Sequence, residues 1–307
     1  WSGIMNANIY KFKSNDSFLK WIPVLNDLIK DFSTFPSIKV EAEVSNSLLA
    51  GLVLTGTDQY EIEKKIANLF ELISEADDDN LIWKKGIFLL SLYYTIQGYI
   101  HRSESLFNSV KDLEKNPELH LICWIMSNHI KVLNLFYSAK NQDCIDFVLI
   151  TNQVSNTQDI QCGEVLLLGS AAAAALSNSE YDYAVELLRK MKSKLVTGQN
   201  LNTFFYHIIN AWSVFSTDLF FALHLSQSAL KLAKEFGFPF LEHMALIVVS
   251  QICYELGQFD KAKKYLREAF QKARNTQNQL AEFKCYITEV YYSLNKEDDE
   301  RTAELIE

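Results

Sequence analysis

Glycine and proline are scarce in this chain. Its 307 residues include ten glycines and four prolines, which disfavours a turn-rich β fold and leaves long helices as the natural reading. None of those glycines stands in a GxxxxGK[ST] or GxGxxG arrangement, so no phosphate or dinucleotide cradle is written here. HExxH and GxSxG are missing too. The six histidines (101, 120, 129, 207, 224 and 243) show no metal-ligand spacing, and His243 beside Glu242 is a pair of adjacent helix positions that face different ways. The five cysteines, Cys123, Cys144, Cys162, Cys253 and Cys285, are odd in number and scattered, and no two form CxxC. They read as buried free thiols in a reducing compartment, not as a disulfide frame or a zinc site. The acidic run Glu75–Asp79 lacks the central glycine and alternating ligands of a calcium loop and reads as a solvated joint.

Basic charge is also short. A net charge of −9 argues against direct nucleic-acid contact by this segment, because a phosphate backbone demands clustered Lys and Arg. The longest apolar run, near Val165–Leu176, is broken by Gly169 and Ser170 and is too short to span a bilayer. Residues 1–15 show no signal-peptide pattern. The expectation is a soluble, cytoplasmic, non-catalytic protein with no cofactor, no metal and no membrane contact.

What the chain does have is apolar and aromatic content, 49% and 13% of residues, enough for a long continuous core. The organising stretch is Ala245–Arg274, ALIVVSQICYELGQFDKAKKYLREAFQKAR. It reads as two antiparallel helices joined by the turn Leu256-Gly257-Gln258-Phe259. Small residues (Ser250, Gly257, Ala262, Ala269) stand where two helices must touch, and Leu246, Tyr254, Phe259 and Leu266 fill the space around them. In that order of small and large positions the stretch resembles a tetratricopeptide (TPR) hairpin. Such a hairpin cannot bury its apolar face alone, so it predicts neighbours.

Aligned on Ala262, weaker copies occur at Glu63, Ser103, Asp146, Ala184 and Ala222, with Ala303 a seventh, at a period of about 40 residues. The copy around Ala184 is good, with Leu168, Ala172, Ala175, Tyr181 and Leu188 in place; the copy around Asp146 rests mainly on spacing. Joints fall at Asp77–Asn80, Asn116-Pro117, Asn156–Asp159, Thr197–Asn200, Gly237-Phe238-Pro239 and Asn275–Asn278. Before the repeats, Phe18, Trp21, Ile22, Leu25, Leu28, Ile29 and Phe32 follow the intervals of one amphipathic helix, with Pro23 awkwardly inside it. The fold class expected is all-α: a right-handed TPR-like α-solenoid of about six or seven helical hairpins with an N-terminal capping helix. Residues 1–39 form the capping segment and residues 40–307 one continuous array with a truncated last repeat.

A wider resemblance rests on FLKWIPVLNDLIKDFSTFPS, EYDYAVELLRKM, FFYHIINAW and ALKLAKEFGFPFLEHMALIVVSQICYELGQFDKA. These phrases resemble the helical-repeat region of large bacterial signal-transducing ATPase regulators, the maltose-operon-activator-like and SARP-like transcriptional regulators. In that family an NTPase module and a DNA-binding module flank a superhelical sensor that binds an inducer or a partner and controls self-assembly. The resemblance implies that this chain, whose first residue is Trp, is the sensor region alone, with a protein or peptide partner or a small-molecule inducer on its concave face, and with self-association. No inducer-binding residue carries over. Polar and aromatic residues on first helices are the groove candidates: Lys85, Phe88, Tyr206, His207, Trp212, Gln251 and Tyr254. Each is set against a plain packing role. The rival reading is a free-standing TPR adaptor or peptide-pheromone receptor; an enzyme would need a convergent set of titratable groups that the sequence does not supply.

Overall fold

The computed structural model describes residues 16–31, 34–56, 59–74, 81–109, 121–157, 163–198 and 200–295. The expected joints at Asp77–Asn80 and Asn116-Pro117, and the repeat position Ala303, lie outside them. Among the described residues there are fourteen α-helices and no strand. They are α1 (Asp16–Asp31), α2 (Ile38–Thr55), α3 (Gln59–Ser74), α4 (Leu81–Gln97), α5 (Ile100–Asn108), α6 (Leu121–Tyr137), α7 (Asn141–Thr157), α8 (Glu164–Ser177), α9 (Tyr181–Ser193), α10 (Asn200–Ser213), α11 (Leu219–Phe236), α12 (Pro239–Glu255), α13 (Phe259–Asn275) and α14 (Gln279–Leu294). From α2 onward they pair as six hairpins and the first helix of a seventh, an all-α solenoid.

The two helices of a hairpin differ in kind, and the sequence dictates the difference. Second helices are amphipathic. In α13, FDKAKKYLREAFQKARN, the buried residues Ala262, Leu266, Ala269 and Ala273 recur at helical intervals, and the lysines and arginines between them face out. First helices are apolar nearly all round. In α12 the buried set runs Leu241, Ala245, Leu246, Ile247, Val248, Val249, Ile252 and Cys253, covering more than one face. A helix apolar on every side must be covered on every side, so second helices form the outer layer and first helices the inner one.

Four of the six hairpins close in one way. The last turn of the first helix carries a residue in the left-handed region: Gly98 (φ 93°), Ala139 (φ 58°), Ser179 (φ 63°) and Gly257 (φ 72°). The next amide reaches back to a carbonyl five residues earlier: Tyr99 N to Tyr94 O, Lys140 N to Leu135 O, Glu180 N to Ala175 O and Gln258 N to Cys253 O. This is the Schellman arrangement, which satisfies carbonyls left over at a helix end. The second helix then starts at once, with Ser103 N, Cys144 N, Ala184 N, Ala222 N and Ala262 N donating to carbonyls four residues back.

That geometry corrects two repeat positions. Cys144, not Asp146, is the buried small residue of its helix, and Asp146 is exposed and accepts a hydrogen bond from Gln142 at 2.9 Å. Glu63 is likewise exposed, and its neighbour Ile62 is the buried one. Spacing alone cannot fix helical register within a residue or two, and a loop of different length shifts it. Ser103, Ala184, Ala222 and Ala262 stand where expected, each with no exposed surface.

The array closes on itself. First helices pack side by side from α2 through α4, α6 and α8 to α10, and again between α12 and α14. Between α10 and α12, α11 packs on both. At the far end α14 returns to α4. Asn278 Nδ2 donates to Ile96 O at 3.1 Å across 182 residues of sequence. Gly98 approaches Leu280 so closely that an added Cβ would stand 3.1 Å from the Leu280 backbone nitrogen. Phe18 of α1 meets Phe238, in the α11–α12 joint, with ring centroids 6.3 Å apart. One buried core therefore joins α1–α4 to α10–α14, a second occupies α6–α10, and Phe205 and Trp212 of α10 pack against both.

Candidate functional site

The inner layer lines a cavity of about 320 Å³ that is open in part to solvent. Its wall comes from first helices throughout: Val53 of α2, Leu92 of α4, Met126 of α6, Leu166 of α8, Ile208 of α10, Ile247 of α12 and Leu280 of α14 are representative. The volume falls at the lower end of the range for small-molecule sites, and an apolar wall with a few polar groups is the usual composition of such a site. Small side chains such as Ala50 and Ala173 leave the room; Phe136, Phe205, Trp212 and Phe240 give it shape.

Most polar groups on the wall are committed inside the protein. Thr95 Oγ1 lies 2.7 Å from Ser103 Oγ and 2.9 Å from Asn134 Oδ1, a buried cluster that ties α4, α5 and α6. Ser170 Oγ donates to Leu166 O at 3.1 Å. Asn278 spends both ends of its amide, donating to Ile96 O and accepting from Ala281 N at 2.8 Å, where it caps α14. His129 Nε2 pairs with Gly163 O at 3.0 Å; a carbonyl only accepts, so the proton sits on Nε2, and burial pulls this imidazole below its ordinary pKa.

Among the described wall groups, His243 and Lys284 stand out. His243 is 6% exposed, and its Nδ1 is buried with no hydrogen-bond partner. Burial, with the positive charges of Lys284 and Lys272, pulls its pKa down to about 3, so it is a neutral imidazole. Lys284 is half-buried and sets its Nζ over the Tyr137 ring, 4.9 Å from the centroid. No carboxylate among the described residues stands within ion-pair distance of it. Two other partly buried lysines differ: Lys194 holds Glu164 Oε2 at 2.7 Å and Lys272 holds Glu242 Oε2 at 2.6 Å. The Lys272 pair also shows the adjacent residues Glu242 and His243 facing apart, one to the outer layer and one to the cavity.

Of the seven residues singled out by sequence, Trp212 lines this cavity. Phe88 is 1% exposed and packs in a small cluster with Phe107 and Ile130. Tyr254 stacks on Tyr292 with centroids 4.0 Å apart and donates its hydroxyl to Tyr292 O at 3.0 Å, while Gln251 donates to Thr288 Oγ1 at 3.1 Å; both tie α12 to α14. Tyr206 and His207 are half-buried neighbours on α10, centroids 5.8 Å apart, with the His207 pKa lowered by burial and by His224. Lys85 is half-buried on α4. The structure thus gathers none of the other six with Trp212 at the wall. Sequence reasoning passed over Lys284, Tyr137 and the aliphatic residues of the wall. The signal that could have found them is the second apolar face of the first helices, which no partner within a hairpin covers.

Among the described residues no group of three or more His, Cys, Asp or Glu side chains is placed to hold a metal, and no helix is long and apolar enough to cross a membrane. Cys144 and Cys285 are buried thiols with pKa pushed up to about 12 by burial, which keeps them protonated and unreactive.

No protein-family model matches the chain, and no curated protein matches it in sequence. Solved structures do match in fold. NprR in complex with its cognate peptide NprX aligns with a TM-score of 0.52 at 18% identity, covering 88% of this chain and 77% of that one. The Signal Transduction ATPase with Numerous Domains (STAND) protein with a tetratricopeptide repeat sensor from Pyrococcus horikoshii aligns with a TM-score of 0.51 at 14% identity, over 95% of this chain. This chain spans 45% of the length of that ATPase. At these identities the likeness establishes the helical-repeat fold.

Proposed function

We propose that this chain is a non-catalytic sensor region that holds its ligand inside the closed superhelix. The observation that carries the reading is the cavity itself, walled by first helices from both ends of the array and bounded by the α4–α14 contact. A ligand there touches hairpins far apart in sequence, so it favours the closed form over an open one by its differential affinity for the two. Coupling between ligand and ring closure is then a means of signalling to whatever the sensor is attached to. The fold neighbours support this: one is a peptide-bound NprR and the other carries a tetratricopeptide repeat sensor. On this reading the chain serves a cytoplasmic bacterial transcriptional regulator of the STAND type, maltose-operon-activator-like or SARP-like, makes no nucleic-acid contact itself, and self-associates under ligand control. The peptide-receptor reading uses the same cavity with a different ligand.

The test is occupancy. A neutral apolar fluorophore, N-phenyl-1-naphthylamine, is expected to bind the full chain and brighten. Ala173→Phe and Val53→Phe, each placing a ring where the wall now leaves room, are expected to abolish the signal while far-ultraviolet circular dichroism stays helical. Binding undiminished in both folded variants would sink the cavity reading.

A further inference from the structure

The cavity restricts what can fill it. A peptide brings one amide donor and one carbonyl acceptor per residue. The wall hydroxyls and amides of Thr95, Ser170 and Asn278 are already spent inside the protein. Most peptide groups buried there would lose water and find few partners, and each unmatched group weakens binding about tenfold or more. A hydrocarbon chain loses nothing by the same move.

One corner is different. Lys284 and Tyr137 are half-buried, and His243 offers a buried Nδ1 with no partner. Two other part-buried lysines, Lys194 and Lys272, hold carboxylates; among the described residues no carboxylate stands within ion-pair distance of Lys284, whose Nζ lies over the Tyr137 ring. A part-buried cation beside an apolar cavity favours a ligand that brings an anion with its hydrocarbon. Among the described wall residues Lys284 is the one lysine or arginine.

Resting on the sensor reading above, we propose that the cavity takes an aliphatic carboxylate: a hydrocarbon tail lies among the first-helix side chains and the carboxylate sits on Lys284, with the Nδ1–H tautomer of His243 as a second donor. The tail supplies most of the affinity and Lys284 the selection of the acid end. The half-exposed position of Lys284 lets the anion keep part of its hydration while the tail is dry.

Competition against N-phenyl-1-naphthylamine on the full chain decides it. Decanoate and hexadecanoate are expected to displace the fluorophore, and hexadecanol to do so about tenfold or more weakly, in line with the worth of a charged hydrogen bond. Lys284→Met should weaken hexadecanoate by about the same factor and narrow or abolish the preference for acid over alcohol, with Lys284→Arg restoring the preference. If acid and alcohol compete equally in the native chain and in the Lys284→Met variant, the carboxylate assignment is wrong while the cavity reading stands. The assignment is equally wrong if an apolar peptide with a free C-terminus displaces the fluorophore and hexadecanoate does not. If the fluorophore fails to bind and hexadecanoate gives no thermal protection of the native chain, both readings fall together.

Discussion

Two hairpin turns set a glycine against an alanine in the same backbone state. Gly257 has φ 72° with open space around the position of a Cβ, and Ala139 has φ 58°. The left-handed region costs a residue with a Cβ roughly 1–2 kcal/mol, partly offset by the extra entropy that glycine loses on folding. Gly257→Ala should therefore lower stability by about 1 kcal/mol and Ala139→Gly raise it by a few tenths to about 1 kcal/mol, read from urea unfolding midpoints. At the same scale, His243 is depressed from 6.5 to about 3, and His129 and His207 are lowered in the same direction. Above the unfolded value both states carry neutral imidazoles and nothing is lost. Below it the unfolded chain takes up protons that the folded chain refuses, so stability falls as pH drops from 6.5 toward 3, by up to about 1.4 kcal/mol per pH unit for His243 alone. Unfolding midpoints that stay flat between pH 7 and pH 5, or rise on acidification, would show that His243 is not held neutral. Few of these residue-scale facts were legible in the sequence. Glu63 and Asp146 were placed one and two residues away from the buried positions Ile62 and Cys144, because a repeat period constrains spacing between helices and not the phase within each.

Helices and joints were far more legible, since they rest on local chemistry. The hairpin α12–α13, the breaks at Gly237-Phe238-Pro239 and Asn275–Asn278, and the amphipathic α1 follow from apolar periodicity, caps and turn residues alone. What α1 packs on was not legible. Phe18, with no exposed surface, reaches Phe238 more than two hundred residues away, and no periodicity records such a pairing. Phe238 is itself fully buried and stacks between Phe236 and Phe240, with centroids 6.0 and 6.1 Å apart. Phe238→Ala is expected to cost about 3–5 kcal/mol, and because the ring also seats α1, hydrogen exchange should rise in α1 as well as across the α11–α12 joint. An effect confined to the joint would mean that α1 is held by α2 alone. The groove candidates failed to gather for a related reason. Phe88 and Tyr254 sit on first helices as expected, but an aromatic at helical spacing carries no mark of whether it faces a neighbouring helix or an interior space, and here both face neighbours.

At the scale of the molecule the decisive event is closure, which makes a cavity out of surfaces that would otherwise be an open concave face. Gly98 is where the ends meet. Its φ of 93° and its approach to Leu280 combine strain with a tight backbone contact that Gly257 lacks. Gly98→Ala should thus destabilise more than Gly257→Ala, and should weaken binding of the apolar fluorophore where Gly257→Ala leaves it unchanged. Equal binding by the two variants would detach the cavity from closure. The most direct test of a ligand held within a closed ring is hydrogen exchange on the full chain with and without N-phenyl-1-naphthylamine. Protection is expected to rise together in the first helices α4, α10, α12 and α14 and at the contact of Ile96 with Asn278. Protection confined to the outer second helices, with that contact unchanged, would contradict it.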